Sequence, residues 1–366
     1  MQMQAALVTE VNKPFQIETV TLAPPKAGEV LVKMAAAGVC HSDWHILDGS
    51  IPKPLPILTG HEGAGVVETV GDGVTRVKPG DRVTLNWRPE CGECHYCLQD
   101  RSQLCETLAP AINSGLQLDG TSRISWRSQP VYIMNWLGCF AEYVVVQAAC
   151  CVPIRHDVPM EVAALVGCAV ATGVGAAMYT AEVSPGQSVV VYGVGGVGLN
   201  IIQGAALCGA DPIIAVDTDG AKTAFAREFG ATHTLISDDS TETQIQDLTG
   251  GRGADHVFES VGLPALQERA FDAVAPGGML TLVGVAPAES RTSWPAFVIM
   301  GKEKTIRGSI YGSVNPRRDF SLLMDLYAVG KLKLDELVRR RYRLDQINEA
   351  YDDMFKGELA RGVIVF

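Results

Sequence analysis

Apolar and polar positions follow two different rhythms along this chain. Up to about residue 160 the apolar runs are short and broken by turn residues. Val30–Met34 is apolar apart from one Lys and follows the turn-like run Pro24–Gly28. Gly63–Val70 is rich in β-formers, and Lys78-Pro79-Gly80-Asp81 is a tight-turn signature inside the strand-like stretch Val77–Val83. Helical periodicity is weak here, so this half predicts a β-rich, irregular domain.

Beyond Pro185-Gly186 the rhythm changes. Ser188–Tyr192 is a continuous apolar strand. Leu199–Gly209 places Ile201, Ala205 and Cys208 at spacings of four and three, as on one helix face. Ile213–Val216 reads as a second strand, Ala221–Phe229 as a helix, and His256–Glu259 and Leu280–Val283 as further strands. Strands apolar on both faces, alternating with helices, predict an α/β fold: a doubly wound parallel sheet covered on both sides. From about Ser309 the chain reads as helix-like stretches, Phe320–Gly330 and Leu344–Lys356, and ends in strand-like Arg361–Phe366.

Length and composition then narrow the classes. A chain of 366 residues, 47% hydrophobic and 19% charged, can bury a core and suggests two domains or so. With 30 basic against 41 acidic residues the net charge is −11, which argues against a nucleic-acid or anionic-membrane partner. The opening residues lack the basic flank and apolar core of a signal peptide. The uncharged run Val162–Met178 includes Cys168 and Thr172 and falls short of the ~20 residues a membrane span needs, so it is expected to be a buried segment. A soluble cytoplasmic protein is the expectation. Of ten cysteines, four crowd one 15-residue window, which in a cytosolic chain points to metal rather than disulfides.

Gly193, Gly195 and Gly198 fit the G-x-G-x-x-G pattern between the first apolar strand and its helix. The glycines make a tight turn and let a pyrophosphate approach the helix N-terminus. Asp217 ends the next strand, 19 residues beyond Gly198, where a carboxylate can take the diol of an adenosine ribose. Asp217, with Asp219 close by, would repel a 2′-phosphate, so NAD is favoured over NADP. Lys222 is a candidate to lie over the same ribose.

Cys91-x2-Cys94-x2-Cys97-x7-Cys105 offers four thiolates on one loop, enough to close a tetrahedron as in a structural zinc site. His95 between them is expected to be a solvated loop residue. A second metal set is more scattered. Cys40-His41-Ser42-Asp43, Gly60-His61-Glu62 and Cys168 provide two thiols and an imidazole, the makings of a catalytic zinc with an exchangeable position. From spacing alone, Cys168 reads equally as a core residue.

The motifs Gly38–Asp43 and Gly60–Val66, the four-cysteine loop, Gly167-Cys168, Gly193–Gly198 and Asp217, in that order, resemble the zinc-dependent alcohol dehydrogenases of the medium-chain dehydrogenase/reductase superfamily over essentially the whole chain. The resemblance implies a GroES-like catalytic domain at 1–169, with the structural-zinc lobe at about 86–110. It further implies a Rossmann domain at 170–309 and a return segment at 310–366. Cys40, His61 and Cys168 become the expected catalytic zinc ligands, making two zinc ions per chain with the lobe. Asp43 becomes the carboxylate behind His61, and Glu62 the acid that approaches the metal during ligand exchange. Ser42 and His45 become the inner and outer ends of a proton relay through the nicotinamide ribose. His41, Thr172, Gly193, Gly195, Gly196, Val197, Gly198, Asp217, Lys222 and Arg361 are the implied NAD contacts. His41 stands where many members have Arg, which implies weaker, more pH-sensitive cofactor binding.

Alignment to that family places Trp87, Ile51, Met134, Asn135, Ile310 and Trp44 around the substrate. The bulk of Trp87 favours primary alcohols, benzyl-type or medium-chain aliphatic, oxidised reversibly to aldehydes. A thiol-adduct formaldehyde dehydrogenase, using glutathione or mycothiol, is the alternative; Ile51 occupies a place where an acid would be expected for the glutathione form. A non-catalytic NAD-binding protein is the remote one. The long loop between Cys105 and Phe140 resembles that of dimeric members, so a homodimer through edge strands at about Ile299–Tyr311 is expected.

Overall fold

A computed structural model describes residues 1–357 and 360–366. It divides into two compact units, one formed by Met1–Cys168 with Asn315–Phe366, the other by Ala169–Val314. The sequence boundary at 309 falls five residues short of this division. The reason is local: the turn Tyr311–Ser313 packs on the helix Ala171–Gly175, and a methyl on Gly312 would lie 2.5 Å from Ala171 O.

The first unit is built on two sheets of six and seven strands. The strand Glu29–Gly38 organises the larger one. Gly63–Val70 pairs along one of its edges, while Tyr143–Gln147 and Arg361–Val365 share the other. Apolar residues bury both faces of that strand, which explains why its sequence lacks alternation. Trp136, Phe140, Tyr342 and Tyr351 fill the core beside it. Gly63–Val70 spans the residues expected from the sequence.

The second unit holds a six-stranded, wholly parallel sheet. Its spatial order is His233–Ile236, Ile213–Asp217, Val189–Tyr192, Ala254–Glu259, Val274–Leu282, Thr305–Gly308. Numbered along the chain this is 3-2-1-4-5-6, with the order reversing between the first and fourth strands, where such sheets bind dinucleotides.

One continuous helix, Met160–Thr180, is long and apolar enough to cross a membrane, with a mean hydropathy of 1.8. It is 83% buried inside the protein, as a core helix is. Two stretches of it, Val166–Val170 and Ala176–Thr180, widen into π turns, and the first carries Cys168. Such turns recur at functional sites because the extra residue re-aims a side chain.

Candidate metal centre and dinucleotide turn

Three separate elements of the first unit deliver the scattered metal set. Cys40 is the N-cap of the helix His41–Leu47, His61 lies between the strands Ile57–Leu58 and Gly63–Val70, and Cys168 sits on the π turn. The ligand atoms of Cys40, His61 and Glu62 lie within 4.8 Å of one another. The Cys168 thiol is in hydrogen-bonding contact with the Cys40 sulfur but lies outside that group of three. Gly167 brings this turn close: a methyl there would stand 2.8 Å from Leu85 O.

Electrostatics fit the donor set to zinc. Hydrogen bonding from Cys168, opposed by burial and aided by His61, holds the Cys40 thiol well below its usual range. The same bond and burial push Cys168 well above it. Burial opposes charge on His61, but Asp43 and Cys40 outweigh it and carry its pKa well above the ordinary value. The cluster thus favours the thiolate at Cys40 over that at Cys168. A divalent cation would release the remaining protons and take their place.

Asp43 is fully buried behind His61, with Nδ1 3.1 Å from its carboxylate, which orients the ring with its other nitrogen toward the sulfurs. The Gly60 N–H donates to the same carboxylate at 2.6 Å. That position demands glycine: φ is +91°, and a methyl would meet Phe140 N at 2.7 Å. Glu62 is wholly buried and paired with Arg361 Nη2, which also donates to Val39 O at 2.8 Å. Burial, against the pull of Arg361, pushes the Glu62 carboxyl up to about 7. Arg361, expected from the resemblance to hold a cofactor phosphate, is only 6% exposed and spends this side of its guanidinium on Glu62. No local signal announces the pair, whose members are 299 residues apart.

Ser42 and His45 lie one turn apart on the helix His41–Leu47, both half-buried, and His45 Nδ1 is 3.0 Å from Ser50 Oγ. The Trp87 indole stands edge-on to the His61 ring, centroids 6.3 Å apart, so it walls the cluster. Met134 is buried and Asn135 half-buried in a left-handed turn (φ 52°). Ile51 is half-buried, its N–H bonded to His45 O. Trp44 packs against Phe355 and Tyr351 at 4.6 and 5.7 Å, which explains its ring as core packing. His41 is exposed and edge-on to Phe355. Ile310 belongs to the other unit and is 37% exposed.

The four-cysteine loop forms the second group, its sulfurs also within 4.8 Å of one another. Backbone N–H donors, that of Cys97 first, hold the Cys94 thiol down to about 6, while burial pushes Cys97 up to about 12. Four soft donors, one of them bonded to the Thr107 hydroxyl at 3.4 Å, fit a closed tetrahedral zinc site. The lobe is tethered to the return segment: Asp100 accepts from Arg318 at 2.6 Å and Asn315 at 2.8 Å, and Glu90 accepts from Arg317 at 3.1 Å. His95 is exposed. Among the described residues these two are the groups of metal-type side chains.

In the second unit, the glycine motif opens the helix Gly196–Leu207, whose N-cap is Gly195 and whose first N–H groups receive no side-chain cap. Space beside Gly195 is open, whereas a methyl on Gly198 would lie 1.9 Å from Gly193 O. An uncapped helix start with a bare glycine before it is what a pyrophosphate requires. Gly196 and Val197 are half-buried in its first turn, as is Thr172 on the helix that packs alongside. Asp217 ends its strand and accepts from Val194 N at 2.9 Å and Asp219 N at 3.1 Å. Asp219 caps the helix Gly220–Ala226, on which Lys222 is half-buried.

Comparison with known proteins follows the same division. Residues 26–156 match the alcohol dehydrogenase GroES-like domain and residues 196–328 the zinc-binding dehydrogenase domain. The chain is 42% identical to an NDMA-dependent alcohol dehydrogenase of Amycolatopsis methanolica, covering 100% of this chain and 99% of that protein. It is 38% identical to an alcohol dehydrogenase class-3 of Cereibacter sphaeroides, covering 100% of both. Among solved structures, the benzyl alcohol dehydrogenase of Acinetobacter calcoaceticus has a TM-score of 0.94 at 31% identity, covering 100% of this chain and 99% of that one.

Proposed function

We propose, from the premise that this chain belongs to the zinc-dependent alcohol dehydrogenases of the medium-chain dehydrogenase/reductase superfamily, that it oxidises primary alcohols, benzyl-type or medium-chain, to aldehydes with NAD. One observation carries the reading: the buried Cys40–His61–Cys168 cluster, backed by Asp43 and walled by Trp87. Cys40, His61 and Cys168 hold one zinc and the four-cysteine loop a second. Zinc supplies a Lewis acid for the alcohol oxygen, and NAD the hydride acceptor.

The residues of the chain do the rest. Ser42 takes the alcohol proton, and His45, one turn further out, passes it to water. Trp87 excludes water and crowds a second alkyl branch on the carbinol carbon, so primary alcohols fit best. Glu62, within reach of Cys40 and His61, would serve as an alternative ligand to the metal these residues would hold, at the cost of its pairing with Arg361. The Arg361 Nε hydrogen, which has no partner among the described residues, is available to a cofactor phosphate, and His41 stands on the neighbouring helix His41–Leu47. Asp217 reads the ribose diol, so Asp217→Ala narrows the preference for NAD over NADP; an unchanged ratio removes Asp217 from that role.

The enzyme acts in the cytoplasm on small alcohols and aldehydes, as a homodimer. The exposed edge strand Thr305–Gly308, with Phe297 and Met300 exposed on the preceding helix, supports the pairing. The test is a substrate panel followed by NADH absorbance, run with and without glutathione, mycothiol and NDMA. Turnover of benzyl alcohol with NAD alone is the expected result. Turnover of S-hydroxymethyl thiol adducts alone overturns the substrate class. Turnover that requires NDMA instead overturns the free release of NADH, with the alcohol chemistry intact.

A further inference from the structure

Apart from the two metal groups of the first unit and the glycine turn, the second unit carries a further recess. It lies where the strands Ala254–Glu259, Val274–Leu282 and Thr305–Gly308 begin, at the end of the sheet away from Gly193, roughly 16 Å down the strands at 3.3 Å per residue. The cavity measures about 360 Å³, the size of a small metabolite.

Its lining is strongly cationic for a chain of net charge −11. Arg252, Lys302 and Lys304 face it, against a single acid, Asp272. Among the described residues none of the three cations has a salt-bridge partner. Arg252 and Lys302 are exposed at the rim, while Lys304 is only 7% exposed at the base. Lys304 Nζ donates to Phe271 O at 3.0 Å and sits 4.5 Å from the centre of the Phe271 ring. An ammonium has three hydrogens, so that carbonyl leaves donors unspent in a buried position. Burial first, then Lys302, lowers the Lys304 pKa, which marks a site short of negative charge. Gly251 lines the adjoining wall with positive φ and open space around it, so a ligand can approach the backbone there.

We propose that this cavity binds a small phosphomonoester, or phosphate itself, between the Arg252 fork and the Lys302 and Lys304 ammonium groups. A planar guanidinium matches two phosphate oxygens, and two ammonium groups neutralise the remaining charge. A dianion suits a recess whose charges sum to about +2 better than a carboxylate does. The site is independent of the alcohol chemistry proposed above.

The test uses the whole protein with the dinucleotide turn saturated by NAD, so that a phosphate compound cannot enter there. Ribose 5-phosphate and inorganic phosphate are titrated calorimetrically and in thermal melts at constant ionic strength, with chloride as control. Saturable binding is expected, with a melting temperature that climbs with ligand concentration. Arg252→Ser/Lys302→Ser, which alters two exposed positions, is expected to weaken binding at least tenfold, leaving the unliganded melt and alcohol turnover unchanged. Tighter ribose 5-phosphate assigns an ester; equal affinities assign the free ion. Binding no better than chloride, or undiminished in the double variant, overturns the proposal.

Discussion

The two cysteine groups of the first unit are built on opposite plans. The four-cysteine loop draws all its sulfurs from 15 residues, and its own backbone N–H groups hold one of them ready as thiolate. Three of its cysteines are half-exposed. The Cys40–His61–Cys168 cluster draws on three elements far apart in sequence, and His61 and Asp43 within it are almost or entirely buried. A local site can assemble as its loop closes; a dispersed one exists only when the surrounding sheets already do. That difference suits the first to stabilising a lobe and the second to chemistry in a dry, pre-set pocket.

The largest effect should separate the two. Cys40→Ser is expected to cut alcohol turnover about a thousandfold, equivalent to roughly 4 kcal/mol, with melting little changed. Cys97→Ser should do the reverse, lowering the melting temperature by several degrees while the folded fraction keeps most of its turnover. If both variants lose activity and stability alike, the division of labour is wrong. Elemental analysis should find two zinc ions in the parent and one in each variant.

Asp43→Asn probes what the loop site lacks, a buried carboxylate behind its ligand. Zinc affinity at the dispersed site should fall about 10–100-fold, read by chelator competition, while the loop site holds its metal. Trp87→Ala should act on the substrate side alone. The ratio of kcat/KM for a secondary over a primary alcohol is expected to rise about tenfold, some 1.4 kcal/mol. A folded, zinc-loaded variant with the parent's ratio would place Trp87 outside the pocket. The smallest effect belongs to the tether: Asp100→Ala removes exposed contacts to Arg318 and Asn315 and should cost less than about 1 kcal/mol, a melting shift of at most a few degrees.

The same contrast explains what could be read from the sequence. The four-cysteine loop, the glycine motif and Gly63–Val70 are local patterns, visible at short spacing. Cys168 was ambiguous because its apolar neighbours belong equally to a core helix; only resemblance to a family singled it out. The Glu62–Arg361 pair left no mark, since neither residue lies near the other in the chain. In the second unit the helix Thr241–Leu248 escaped notice because Thr241 and Ile245 are its sole buried residues, too few to set a period. The edge strand Thr305–Gly308 falls within the edge strands expected at about Ile299–Tyr311 from the family resemblance; no pattern of its own marks it, since nothing in it is fully buried.

The strand Arg361–Val365 has a consequence for the order of events during synthesis. It lies inside its sheet, between Glu29–Gly38 and Val338–Tyr342, and brings the partner of a glutamate made 299 residues earlier. The unit Ala169–Val314 is contiguous and can complete itself while the nascent chain still lengthens. The first unit must wait, with the Ala36–Gly38 end of one edge of its central strand unpaired, until the return segment leaves the ribosome. A chain stalled before that point would therefore carry the cysteines and histidine of the dispersed cluster without the arginine that neutralises Glu62. The burial of Glu62 with its charge neutralised is thereby tied to finished translation.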